Sequence, residues 1–152
     1  MTKRVFIFFV TTCILQPSSY AEICLKGAIH VHSYRSFDSQ GTFEEIGQAA
    51  NNAGLDFLIL TDHQPPVKGQ KSRLPAELPG GENPLWIDGA EVTLAKKHHV
   101  LVLGKAAGEV VWTRGHEIEG LIEAKVRGAV LFLGHIAKSR RFNYPDLLDG
   151  VE

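Results

Sequence analysis

A strand, a capped helix and a second strand follow one another between Leu25 and Thr61, and no other stretch restricts the fold as strongly. Leu25 to His32 reads as a strand. Thr42-Phe43-Glu44-Glu45 matches a capping box, with Thr42 as N-cap and Glu45 at N3, each side chain satisfying the other's backbone N–H. Phe43, Ile46 and Ala50 then share one helical face, and Gly54 ends the helix. Leu55 to Thr61 is a short, nearly continuous apolar run, as expected for a strand covered on both faces. A β-α-β unit of this kind implies a parallel strand pair with a right-handed crossover.

Further on, Gln64 to Pro84 is polar, rich in Pro and Gly, and carries Lys68, Lys71 and Arg73; it reads as a long loop. Leu85 to Leu94 resumes strand character, and His99 to Gly104 is another strand. The short connector Ala95-Lys96-Lys97 between them predicts a hairpin. Gly115 to Arg127 reads as a helix with Ile118, Leu121, Ile122 and Val126 on one face and Gly128 as its stop. Ala129 to Gly134 is a further strand. The order β-α-β, long loop, β-β-α-β argues for an α/β barrel-like or layered fold with a largely parallel sheet.

The first residues stand apart. Lys3 and Arg4 precede an apolar run from Val5 to Leu15, and small residues around Ala21 supply a cleavage point. This is the pattern of a secretory signal peptide over residues 1–21, and the run is too short for a bilayer span of about 20 residues. Cys13 lacks the preceding small residues of a lipoprotein signal. Residues 22–152 then form one domain, secreted or periplasmic, with no membrane span. The formal net charge of −1 becomes −3 without Lys3 and Arg4, so no nucleic-acid footprint is expected. Cys24 would be the only cysteine left; it reads as a small buried residue on the first strand.

Seven histidines are many for 152 residues, and their positions matter more than their number. In Ile29-His30-Val31-His32, alternation puts both imidazoles on one face. In α/β folds of this order the chemistry sits at the C-terminal strand ends. His30, His32, His63, Glu91 and His135 all fall at or just past such ends. Taken singly, each has a bland reading. Glu91 is also read as a solvated acid, Asp62 as a turn cap, and His116, opening a helix, as a surface group. Together they describe a metal site. Imidazole plus carboxylate suits Zn²⁺, Mn²⁺ or Fe²⁺. Six or more such groups exceed what one zinc uses, which argues for two or three divalent ions bridged by a carboxylate, with Glu91 a natural bridge. Such a cluster lowers the pKa of bound water and stabilises charge on a displaced ester.

These residues resemble the PHP (polymerase and histidinol phosphatase) family. The resemblance rests on His30-x-His32, Ser36-Phe37-Asp38 and Leu58-x-x-Thr61-Asp62-His63. It continues through Gly89-Ala90-Glu91, His99 to Gly104, Gly134-His135 and Asp149-Gly150-Val151-Glu152, covering roughly Lys26 to Glu152. It implies a distorted (β/α)7 barrel, incomplete at the C-terminus, with a di- or trinuclear metal centre. It further implies that His30, His32 and Glu91 hold one metal and that Glu91, His99 and His135 hold a second. Asp38 and His63 would hold a third. His98 rivals His99, which is preferred because it directly precedes the Val-Leu-Val-Leu run. Asp62 is expected to orient a ligand from behind. Ile136 stands where the family usually has Pro, and the family's closing Asp-x-His pair does not occur before Glu152. An open barrel with exposed strand edges and two underfilled metal sites is therefore expected of this stretch alone.

The resulting expectation is a metal-dependent phosphoesterase. A metal-bound hydroxide would attack a small-molecule phosphoester in line with the leaving oxygen. Arg35, Lys138, Arg140 and Arg141 could neutralise substrate phosphate; the plainer reading of these cations is a solvated surface. Two alternatives stand beside it: an ester, amide or carbamate hydrolase on the same site, and a non-catalytic truncated metal-binding fragment.

Overall fold

The structure is a computed structural model that describes residues 24–64, 74, 84–94, 98–135 and 142–152. The elements in order are β1 (Gly27–Val31), α1 (Phe43–Asn52), β2 (Phe57–Leu60), β3 (His63–Gln64), β4 (Leu85–Thr93) and β5 (His99–Leu103). They are followed by α2 (Ala106–Glu109), α3 (Glu117–Val126), β6 (Val130–Gly134), a 3₁₀ turn (Pro145–Leu147) and β7 (Gly150–Val151). The strands form one mixed sheet in the order β1-β2-β4-β5-β6-β7, with β3 also paired to β4.

The β-α-β unit is present: β1 and β2 pair in parallel. The capping box forms as the sequence requires. Thr42 Oγ1 accepts from the Glu45 N–H at 3.2 Å, and Glu45 Oε2 accepts from the Thr42 N–H at 2.9 Å. Such a cap stabilises a helix by about 1 kcal/mol. Gly54 follows with φ +63°, a left-handed turn that suits glycine. The expected hairpin also forms, β4 and β5 pairing antiparallel. Strand β5 is antiparallel to β6 as well, while the other pairs are parallel.

Alternation along β4 and β5 splits the sheet into two faces. Ala90, Val92, Val100 and Val102 pack with Leu121, Ala124 and Trp112 under the helices. Leu101 and Leu103 point the other way and join Ile59, Phe57, Ile87 and Phe132. Glu91, between Ala90 and Val92, belongs to this second face, and so does His99. The sheet is curled into a half-barrel around it. Although β1 and β7 are its two edges, Glu152 just beyond β7 reaches His30 in β1.

Three expectations are corrected. Cys24 is exposed and lies ahead of the first strand, which begins at Gly27, where pairing with Phe57 starts. On α3 the buried stripe is Gly120, Leu121 and Ala124, whereas Ile122 and Val126 are 46% and 83% exposed. The reason is Trp112, whose ring lies so close to Gly120 that a Cβ there would sit 2.8 Å from it, turning the small-residue side of the helix inward. Thirdly, Gln64, read as the start of a loop, is the second residue of β3. The short helix α2 has no signal in the sequence pattern. Residues 1–21, the polar stretch with Lys68, Lys71 and Arg73, the connector 95–97, and Lys138, Arg140 and Arg141 lie outside the described residues.

Candidate metal centre

Glu91 is the hub. Its side chain is fully buried, and five imidazoles face it. His30 Nε2, His32 Nε2 and His63 Nδ1 lie 3.4, 3.0 and 3.3 Å from Oε2. His99 Nδ1 and His135 Nε2 approach Oε1, the latter at 3.3 Å. A second carboxylate, Asp38, stands on the far side of two of these rings. Its Oδ1 is 3.0 Å from His32 Nδ1, and its Oδ2 is 3.2 Å from His63 Nε2.

Each group reaches this point for a local reason. The register of β1 against β2 slips between Ala28 and Val31, a bulge of the kind that re-aims side chains next to sites. It lets His30 and His32 converge on one oxygen. His63 opens β3 and is the register partner of Glu91 itself. His99 begins β5, which runs antiparallel to β4, so its first residue lies at the same end of the sheet as the last residues of its neighbour. His98, one residue earlier, turns away, its ring against Phe142 at 5.9 Å. The geometry thus brings His99, not His98, to Glu91. His135 follows β6 and has φ +53°, the left-handed region in a non-glycine residue. Simple alternation from Leu131 would have aimed it under the helices; the unusual φ turns it toward Glu91 instead. Such strained conformations cost of order 1–3 kcal/mol and concentrate at functional sites.

Asp62 holds the loop that carries Asp38. It is buried, and its carboxylate accepts from the Ser33 N–H at 2.7 Å, the Ser33 hydroxyl at 2.7 Å and the Ser36 hydroxyl at 2.8 Å. Ser36 Oγ in turn accepts from the His63 N–H at 3.0 Å. Asp62 therefore ties the end of β1 to the end of β2 from beneath. Phe37, in the same loop, stacks on the His63 ring at 4.6 Å and leaves 76% of its surface exposed. The Arg35 guanidinium lies over the Phe43 ring, 4.9 Å from its centroid. His116 is exposed beside Glu119, as its surface reading expected.

The electrostatics are those of opposed charges in a half-buried cluster. Burial alone would raise the Glu91 carboxyl, but His30, His32, His63 and His99 around it outweigh burial and hold it far below the usual carboxylate range. Burial likewise opposes the charged form of His32, yet Glu91 and Asp38 push its pKa up to about 9. His30 is raised chiefly by Glu91, against burial, with Glu152 adding to it. Asp38, despite burial, is lowered by His32 and His63.

The donor set fits a divalent cation. His30, His32 and Glu91 form one group of converging ligand atoms, His32, Asp38 and His63 a second, and His63, Glu91 and His99 a third; within each, the atoms lie within 4.8 Å of one another. Moreover, His32 Nε2, His63 Nδ1 and Glu91 Oε2 are buried and close together, yet none is aligned for a hydrogen bond. Buried polar atoms without partners are costly and rare. One shared cation would satisfy all three.

Sequence reasoning missed Glu152, whose Oε1 lies 2.8 Å from His30 Nδ1. The signal for it is its place at the end of Asp149-Gly150-Val151-Glu152, a segment that carries the family resemblance without a role for Glu152.

No protein-family model matches the chain, and no curated protein matches it. Among solved structures it is similar to the crystal structure of a two-domain protein from Bacteroides vulgatus containing a predicted PHP-like metal-dependent phosphoesterase. The TM-score is 0.62 at 18% identity, over 84% of this chain and 43% of that one. The likeness is one of fold, and this chain spans less than half the length of that protein.

Proposed function

We propose that the chain is a metal-dependent hydrolase of the PHP type, acting on small phosphoesters and built on a distorted (β/α)7 barrel. The observation that carries this reading is the convergence of five imidazoles on the buried Glu91 carboxylate, with Asp38 bridging His32 and His63 from outside. The fold shared with the Bacteroides vulgatus protein supports it.

In this proposal His30, His32 and Glu91 hold one ion, Glu91, His99 and His135 a second, and Asp38 and His63 a third, drawn from Zn²⁺, Mn²⁺ or Fe²⁺. Divalent ions there supply Lewis acidity, which makes water a nucleophile near neutral pH and stabilises charge on phosphate oxygens. Glu91 would supply negative charge to the ions held by its neighbouring histidines. Its two oxygens already face different histidines, so it can bridge without changing rotamer. Asp62 keeps the Asp38 loop in register with His63. Phe37, exposed and stacked on the His63 ring, would offer an apolar surface beside the proposed centre. Arg35, Lys138, Arg140 and Arg141 are proposed to meet the substrate phosphate. Residues 1–21 are proposed to direct export, leaving 22–152 as the domain; N-terminal sequencing of the expressed product tests that. No helix among the described residues is long and apolar enough to cross a membrane.

The test is a substrate panel of phosphate monoesters, aryl esters and carbamates, run with metal analysis on the full chain and on His30→Ala and His63→Ala. Phosphatase activity that depends on added metal and disappears in both variants is expected. Activity that survives both substitutions refutes the site. Turnover confined to esters or carbamates refutes the phosphoester assignment.

A further inference from the structure

The structure places one more carboxylate in this neighbourhood. Glu152 follows β7, and three backbone-level interactions fix its position. Asp149 and Leu131 exchange hydrogen bonds at 2.7 and 2.9 Å, and the Glu152 N–H donates to the Leu133 carbonyl at 2.9 Å. Lys125 on α3 braces Asp149 at 3.2 Å. Gly150 lets the strand pass against the Phe132 ring, where a Cβ would come within 2.6 Å. The Glu152 carboxylate is thus delivered to the site rather than swinging free.

Its two oxygens do different things. Oε1 lies 2.8 Å from His30 Nδ1, while the opposite nitrogen of the same ring, Nε2, faces Glu91. Oε2 accepts from the His135 backbone N–H at 3.4 Å, at the residue whose φ is +53°. A neutral imidazole that donates the N–H of one nitrogen to a carboxylate has its lone pair on the other; this is how an outer carboxylate fixes tautomer and ring orientation for a metal-binding histidine.

We propose that Glu152 is a positioning residue for the candidate centre: it accepts the His30 Nδ1–H, leaving Nε2 to bind a divalent cation beside Glu91, and steadies the backbone turn that presents His135. The inference rests on the metal reading above. It extends that reading to a residue on the opposite edge of the sheet from His30, with no part in the ligand set.

The experiment uses Zn²⁺ as probe, titrated into the full chain against a chromophoric chelator, with E152A and the isosteric E152Q compared to wild type. Removal of an outer carboxylate is expected to weaken zinc binding about 10- to 100-fold in E152A. E152Q, whose amide oxygen still accepts from Nδ1–H, should lose less. In zinc-loaded protein, the ¹⁵N-coupled Nδ1–H proton of His30 should be visible and slow to exchange, and should vanish in E152A; a merely structural role for Glu152 would not move it. Zinc affinity unchanged in E152A overturns the proposal alone. Equal losses in E152A and E152Q overturn it too, by making the charge itself a ligand. A wild-type chain that takes up no zinc sinks the metal reading and the proposal with it.

Discussion

Replacing Asp62 by alanine should unfold the loop that carries Asp38 before it disturbs anything else. Three donors meet this buried carboxylate, at 2.7, 2.7 and 2.8 Å. Hydrogen bonds to a charged group contribute roughly 1.5–3 kcal/mol each. They do not add fully. The Ser36 hydroxyl keeps its bond from the His63 N–H, and Ser33 Oγ still accepts from the Arg35 N–H at 3.2 Å. Removing the carboxylate also relieves its own burial. The Ser33 N–H has no such second partner and bears most of the loss. A destabilisation of about 3 kcal/mol results, at the upper end for one substitution. Asp62→Asn retains an acceptor for Ser33 and should cost about half as much. Urea unfolding of the metal-free chain measures both, and amide exchange at Ser33 and Ser36 shows where the opening starts. A loss below about 1 kcal/mol, or exchange that accelerates uniformly through the sheet, would refute the view that Asp62 ties the ends of β1 and β2 together.

The His32 pKa of about 9 in the folded chain, against an ordinary 6.5, adds stability that is fully present below pH 6.5 and is lost as pH rises through 9. The loss is about 3 kcal/mol for the metal-free protein. Asp38 and Glu91, both lowered, contribute in the opposite sense: their stabilisation is present above the unfolded carboxylate range near pH 4 and disappears as pH falls through the folded values. Denaturation midpoints from pH 4 to 9.5 should therefore peak on the acid side of neutrality, while zinc affinity rises with pH as His32 gives up its proton. A flat stability profile between pH 6.5 and 9 would contradict the His32 environment. Gly120→Ala should lower the melting temperature although alanine favours helix by about 1 kcal/mol, because the Trp112 ring 2.8 Å from the new Cβ is itself pinned by its Nε1–H bond to the Ala107 carbonyl. A melting temperature that is unchanged or raised would show that the helix can slide.

Much of this arrangement is legible in the chain because it is local. The Thr42–Glu45 box, the apolar run of β2 and the β4–β5 hairpin each depend on residues close together in the chain, and each forms. The grouping of His30, His32, His63, Glu91 and His135 is legible because strand ends in one sheet share a neighbourhood, whereas His99, at the start of its strand, is marked only by the family resemblance. The misreadings have longer reach. Ile122 and Val126 look like the core face of α3 until Trp112 claims the opposite side. The φ of His135 breaks a period of two without any glycine to announce it. Glu152 sits beside His30 only because the whole sheet curls, a contact spanning 122 positions that no local pattern encodes.

That curl also sets an order of events during synthesis. His30 leaves the ribosome long before Glu91, and the last contact of the cluster closes only when Glu152, 122 positions later, has emerged. At about 5–20 residues per second, the early histidines wait several seconds for their partners. Until His63 emerges, only two of the five imidazoles are available, on an unfinished strand. An ion retained by the proposed centre would then be one available where the sheet finishes curling. On the proposed metal reading, the identity of the ion would depend on the place of folding as well as on the residues that surround it.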